Sequence, residues 1–171
     1  LGYIISYNRL KSDGYNPVPE DLRDQYDTEI YLEEKHLKTD FTYELANQSN
    51  LSFGYLYYDD KHGEGTKIQH DDGVYRKWKT NATNLDYGWS MGSAEWLAKV
   101  YYNREDYFWN RESISNSTYT WYQVDVDRID NGGSMQSTFP IMSSHLITSG
   151  VDYKFGSVDG GDYYILNRNN P

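Results

Sequence analysis

The chain contains no cysteine, which removes disulfide frameworks, thiolate metal sites and thiol nucleophiles at once. It has no run of about 18 apolar residues, so no helix of it can cross a bilayer. It lacks a basic surplus as well: 16 Lys+Arg stand against 26 Asp+Glu, a formal net charge of −10, which argues against a nucleic-acid partner. Hydrophobic residues make up only 37% of the 171, and mean hydropathy is −0.88, little from which to build an ordinary core. Helical periodicity is almost absent. What is abundant is aromatic: 19 Tyr, 5 Trp and 5 Phe, a content that disordered chains do not carry.

These aromatics recur with a period of two. From His36 to Leu45, residues Leu37, Thr39, Phe41, Tyr43 and Leu45 point one way, and His36, Lys38, Asp40, Thr42 and Glu44 the other. After Asn47-Gln48-Ser49-Asn50 the pattern resumes with Leu51, Phe53, Tyr55 and Tyr57. It returns at Thr83–Met91, at Trp96–Tyr102, at Tyr122–Val126 running on to Ile141, and at Ile147–Phe155, and the chain already opens strand-like at Tyr3, Ile5 and Tyr7. About seven long antiparallel strands are expected.

The connections are predicted to be asymmetric. Asn47–Asn50, Met91–Ala94 and Pro140–Ser144 are short, whereas Lys11–Asp27, Asp59–Trp78, Tyr107–Ser117 and Val158–Pro171 read as long polar loops. Short turns on one side and long loops on the other are the layout of an outer-membrane β-barrel, with periplasmic turns and extracellular loops. Aromatics near strand ends (Tyr43, Phe53, Tyr87, Trp89, Trp96, Tyr102, Phe139, Phe155) then form interfacial girdles. The alternative is a soluble β-sandwich, but sandwich strands are usually about 5–6 residues long, and membrane strands of roughly 9–11 fit better. The expected fold is therefore an all-β antiparallel transmembrane barrel segment, spanning residues 1–171.

No catalytic constellation stands out, and no cofactor or metal site is expected. His62 and His70 read as solvated loop residues. Asp125 to Gly133 misses the EF-hand spacing, because Ile129, Asp130 and Gln136 fall where a ligand, a glycine and a bidentate glutamate belong. Asp125 and Asp127 are expected instead to line a hydrated lumen. Aromatics beside cations in the long segments can grip an aromatic or anionic ligand by stacking and cation–π contact. The candidate ligand-binding set is Tyr58, His62, His70, Tyr75, Arg76, Trp78, Trp109 and Arg111.

Several stretches resemble one family. Ile5-Ser6-Tyr7-Asn8-Arg9-Leu10-Lys11-Ser12-Asp13-Gly14-Tyr15, His36-Leu37-Lys38-Thr39-Asp40-Phe41-Thr42-Tyr43, Asn50-Leu51-Ser52-Phe53-Gly54-Tyr55-Leu56-Tyr57-Tyr58-Asp59-Asp60 and His145-Leu146-Ile147-Thr148-Ser149-Gly150-Val151-Asp152-Tyr153-Lys154 are similar to barrel strands of TonB-dependent outer-membrane receptors of the ferric-catecholate and colicin I type. The resemblance implies about seven strands of a larger, 22-stranded barrel in the outer membrane of a Gram-negative bacterium, with plug domain and closing C-terminal strands absent from this stretch. It implies a non-enzymatic receptor importing a scarce nutrient, a ferric siderophore or similar small ligand, with outer-membrane lipid around the barrel and the TonB–ExbB–ExbD complex acting through the plug. A passive porin-like barrel and a secreted carbohydrate-binding β-sandwich are the competing expectations.

Overall fold

The computed structural model describes residues 1–45, 49–142 and 145–169, with side chains through 166. Seven strands form one antiparallel sheet in chain order: β1 (Gly2–Tyr15), β2 (Ile30–Glu44), β3 (Asn50–Gly63), β4 (Tyr75–Met91), β5 (Ala94–Ser115), β6 (Thr118–Ile141) and β7 (His145–Asn169). The expected all-β class and strand number hold. The sheet is open, with β1 and β7 as its two edges, and is not closed into a barrel. A sandwich would need a second layer, and the described residues supply none: every strand belongs to this sheet.

Register divides the side chains between two faces. Tyr3, Phe41, Phe53, Leu85, Val100, Gly133 and Tyr153 stand side by side in one row of what we call the front face. Flanking rows add Tyr43-Leu51-Tyr87-Ala98-Met135-Val151 below, and Ile5-Thr39-Tyr55-Thr83-Tyr102-Asn131-Phe155 above. The back face at the same heights is polar, with rows such as Thr42-Ser52-Asp86-Lys99-Ser134-Asp152. At the lower margin of the front belt Tyr87, Trp89 and Trp96 stack in series, with ring centroids 5.1 and 5.8 Å apart. Among the described residues no apolar layer covers this belt, and Tyr3, Ile5 and Tyr153 are more than 60% exposed. From Asn81 to Trp89 on β4 the belt runs roughly 26 Å along the strand at ~3.3 Å per residue.

Above the Tyr7-Leu37-Tyr57-Asn81 row the front face changes character within one step. Arg9-Lys35-Asp59-Lys79-Asp106-Asp127-Asp159 is charged across all seven strands. Asp125 and Asp127 share this front face, alternating with Val124 and Val126 on the back as expected, so the alternation keeps its parity while the composition of the face changes above the belt.

The connections match the expected asymmetry only in part. Gly92 and Ser93 make a two-residue turn, while the turns expected at Asn47–Asn50 and Pro140–Ser144 include residues 46–48 and 143–144, which lie outside the described residues. At the opposite end, long connections occupy 16–29 and 64–74. Tyr107–Ser117 is not a loop: β5 and β6 continue to a tight turn at Asn116 and Ser117, whose φ values of 47° and 61° match a primed hairpin turn. Val158–Asn169 is likewise strand. Charged residues on both faces erased the amphipathic contrast on which the loop reading relied. Strand length grows steeply across the sheet, from 14 residues in β1 to 25 in β7.

Candidate functional site

Above the belt the back face gathers rings and charges. Strand parity places Asp60 and His62 on β3, Arg76 and Trp78 on β4, Glu105, Tyr107, Trp109 and Arg111 on β5, and Val126 and Arg128 on β6 together on this wall. A cavity of about 420 Å³ is lined by Asp60, His62, Arg76, Trp78, Glu105, Tyr107, Val126 and Arg128. A second cleft of about 630 Å³, reaching Tyr15, Tyr31 and Leu32, shares His62 and Arg76 with it.

Trp78 meets Tyr107 edge-on at 5.4 Å, an arrangement aromatic pairs prefer. The Arg111 guanidinium lies 4.7 Å from the Trp109 ring and 5.6 Å from Tyr122, and Arg76 approaches Trp109 at 6.0 Å. Arg76 Nε pairs with Glu64 Oε1 at 2.5 Å, Arg128 with Glu105 at 3.6 Å, and His62 Nδ1 with Asp60 Oδ2 at 3.5 Å. Three guanidinium groups (Arg76, Arg111, Arg128) and three carboxylates (Asp60, Glu64, Glu105) thus stand together, so the wall is locally balanced although the chain carries −10. Burial pushes the Tyr107 phenol up, against the opposing pull of the Arg76 guanidinium. Asp60 Oδ1 and Trp109 Nε1 are buried without a hydrogen-bond partner among the described residues. One acceptor and one donor thus remain to be satisfied on this wall, where an unmet polar group costs about 1–3 kcal/mol.

Of the eight sequence-predicted residues, Tyr58, His62, Arg76, Trp78, Trp109 and Arg111 share the back face. His62, Arg76 and Trp78 line the cavity, and Trp109 and Arg111 stack beside it. Tyr58 sits one row below and donates its hydroxyl to Glu34 at 3.4 Å. Tyr75 and His70 do not join them. Tyr75 is a buried front-face ring, 6% exposed, with Lys61 and Lys77 over it at 4.4 and 5.2 Å. His70 lies in the 64–74 connection, 5.0 Å from Trp121 on the front face. Sequence reasoning missed Asp60, Glu105 and Arg128; the two-residue step from Asp60 to His62, and from Glu105 through Tyr107 to Trp109, is the signal that assigns the first two.

A separate cluster fixes the 64–74 connection against the front of the β5–β6 extension. Glu112 Oε1 accepts from the Gln69 and His70 amides at 2.9 and 2.6 Å and from the Tyr119 hydroxyl at 2.6 Å, while Oε2 accepts from Ile68 at 3.1 Å. Asn110 Nδ2 donates to the Gly73 carbonyl at 2.8 Å, and its Oδ1 accepts from Trp121 Nε1 at 2.8 Å. Burial raises the Glu112 carboxyl, but the bonds from Tyr119 and the three amides outweigh it and hold the group below its ordinary value. With Asn110, Glu112 and Tyr119 at 0, 4 and 1% exposure, this is the most enclosed cluster among the described residues.

Among the described residues, no three metal-ligating side chains come together. The back-face wall can stack planar groups, donate charged hydrogen bonds and accept a few; that is binding chemistry. Comparison of the chain with protein-family models, with curated proteins and with solved structures finds no match.

Proposed function

We propose that the sheet is a wall segment of an outer-membrane receptor barrel of the TonB-dependent type, with its front belt against lipid and its back face toward the lumen. The observation that carries this reading is the level at which the front belt ends. Below it the front is apolar and the back polar; at the Arg9–Asp159 row the front turns charged across all seven strands, while the back above it mixes Trp78, Tyr107 and Trp109 with Asp60, Arg76, Glu105 and Arg128. A soluble sheet has no reason to end its apolar belt along one level across seven strands, whereas a bilayer imposes such a level, with a lipid-facing band about 25 Å tall. The open edges at β1 and β7 take further strands, because unpaired backbone groups are not tolerated in lipid.

The upper back face then lines the outer vestibule, where its rings and guanidinium groups bind a small ligand that is planar or bears oxygen acceptors, a ferric siderophore fitting best. The protein is a receptor without catalytic chemistry, and TonB–ExbB–ExbD supplies the energy for import through a plug. Washed outer membranes test the barrel directly. The full-length protein is expected to resist carbonate extraction and to shift its gel mobility on boiling; extraction into the soluble phase would end the proposal. Iron-limited uptake of labelled ferric siderophore, lost on deletion and restored by the wild-type gene, tests the ligand class. Intact uptake in the deletion strain would reassign it.

A further inference from the structure

The two charged rows above the front belt are not charged alike. Over β1–β4 they hold Arg9, Lys35 and Lys79 in the first row and Lys11, Lys61 and Lys77 in the second, against only Asp59 and Glu33. Over β5–β7 the same rows hold Asp106, Asp125, Asp127 and Asp159. Like charges are placed directly opposite one another: Arg9 faces Lys35, and Lys61 faces Lys77. Such pairs have Cβ atoms roughly 4.5–5.5 Å apart and are unfavourable unless a counter-anion joins them. None of these four, nor Lys79, forms an ion pair among the described residues; only Lys11 does, with Glu33 at 3.6 Å and Asp13 at 3.7 Å. Aromatic rings hold three of the ammonium groups in place, Lys61 and Lys77 over Tyr75 and Lys79 over Tyr57 at 5.7 Å.

We infer that this patch docks the phosphate groups of a phosphorylated lipid whose acyl chains lie along the front belt beneath it. The inference rests on the membrane reading above. Three strand spacings of ~4.8 Å and one ~7 Å row step give a patch of about 14 by 7 Å, room for the two phosphates of one headgroup. Charge complementarity selects the phosphate, and continuity with the apolar belt selects a lipid over a free anion. The acidic half of the same rows repels that headgroup, which confines it to β1–β4.

The test uses the full-length protein in detergent with diphosphoryl lipid A, the same lipid dephosphorylated, and inorganic phosphate alone. Diphosphoryl lipid is expected to raise Tm by several degrees and to survive purification, as read by native mass spectrometry. Combined K35Q, K61Q, K77Q and K79Q substitutions should lower its retention at least tenfold, while K99Q on the back face should not. Without lipid, the combined variant should stay close to wild type in stability, which separates lost docking from failed folding. Relief of the Lys61–Lys77 and Arg9–Lys35 repulsion offsets the loss of Lys35 and Lys79 opposite Asp59, of Lys61 opposite Glu33 and of the contacts with Tyr57 and Tyr75. Equal stabilisation by dephosphorylated lipid, or full stabilisation by inorganic phosphate, would overturn the inference while leaving the barrel intact. A protein extracted by carbonate fails the membrane reading itself.

Discussion

The lower and upper halves of this sheet obey one alternation and put it to opposite uses. On β4, Leu85, Tyr87 and Trp89 are the apolar front and Asp86, Gly88 and Ser90 the polar back; a few residues earlier on the same strand, Lys77 and Lys79 are the front and Arg76 and Trp78 the back. The backbone does not change, since pairing continues without a bulge from Tyr75 to Met91. What changes is the composition of the rows on each face. Parity along a strand therefore tells which residues share a surface, and only the composition of the whole row tells what that surface touches.

The comparison breaks most sharply at mid-belt. Leu85→Lys should destabilise the inserted protein by about 2–4 kcal/mol, as a cation on a lipid face does. Asn84→Lys, one residue away on the back, should stay within about 0.5 kcal/mol. Urea unfolding from vesicles measures both, and equal effects would erase the distinction between the faces. In the upper half, Glu112→Ala strips three amides and the Tyr119 hydroxyl of their acceptor and should cost about 2–3 kcal/mol locally. Hydrogen exchange at Ile68, Gln69 and His70 should accelerate accordingly, and Glu112→Gln should recover part of the protection.

The same carboxylate gives a pH signature. Its folded value lies below the unfolded one, so its contribution is fully present above the unfolded carboxyl value and is lost as pH falls through the folded value. Amide protection in 68–70 should thus persist from neutral pH down through the ordinary carboxylate range and fail only below it. Loss nearer neutrality would assign the clasp to another group. Smaller still, Trp109→Ala should weaken ligand binding about tenfold, near 1.4 kcal/mol, with thermal stability unchanged. Least of all, Ser117→Gly should stabilise the hairpin by at most about 1 kcal/mol, because serine at φ 61° carries a steric cost that glycine does not.

The strands were readable where the two faces differ in polarity, as in His36–Leu45 and Leu51–Tyr57. Reading failed where both faces are wet. Tyr107–Ser115 carries charge on either side, and only the pairing of Asp106 with Asp127 and of Glu112 with Trp121 reveals it as strand. The site was legible as a chemistry of Trp beside Arg, and Trp78, Trp109, Arg76 and Arg111 do share one wall. Tyr75 and His70 were misplaced because residue type says nothing of parity: Tyr75 is one step from Arg76 and so faces the other way. Glu112 was invisible, since its partners are backbone amides more than forty residues away in sequence.

The stepped lengths of the strands have a consequence for approach. Counted from the row of Phe53, Leu85, Val100 and Gly133, β3 and β4 rise 10 residues to Gly63 and Tyr75 whereas β5 and β6 rise 15 to Ser115 and Thr118, so the upper rim is lower on one flank than on the other; the rest of the added length lies at the lower end. If the back face receives a ligand as proposed above, one drifting in over the low flank would meet the taller β5–β6 hairpin as a backboard bearing Trp109 and Arg111, and entry would be lopsided.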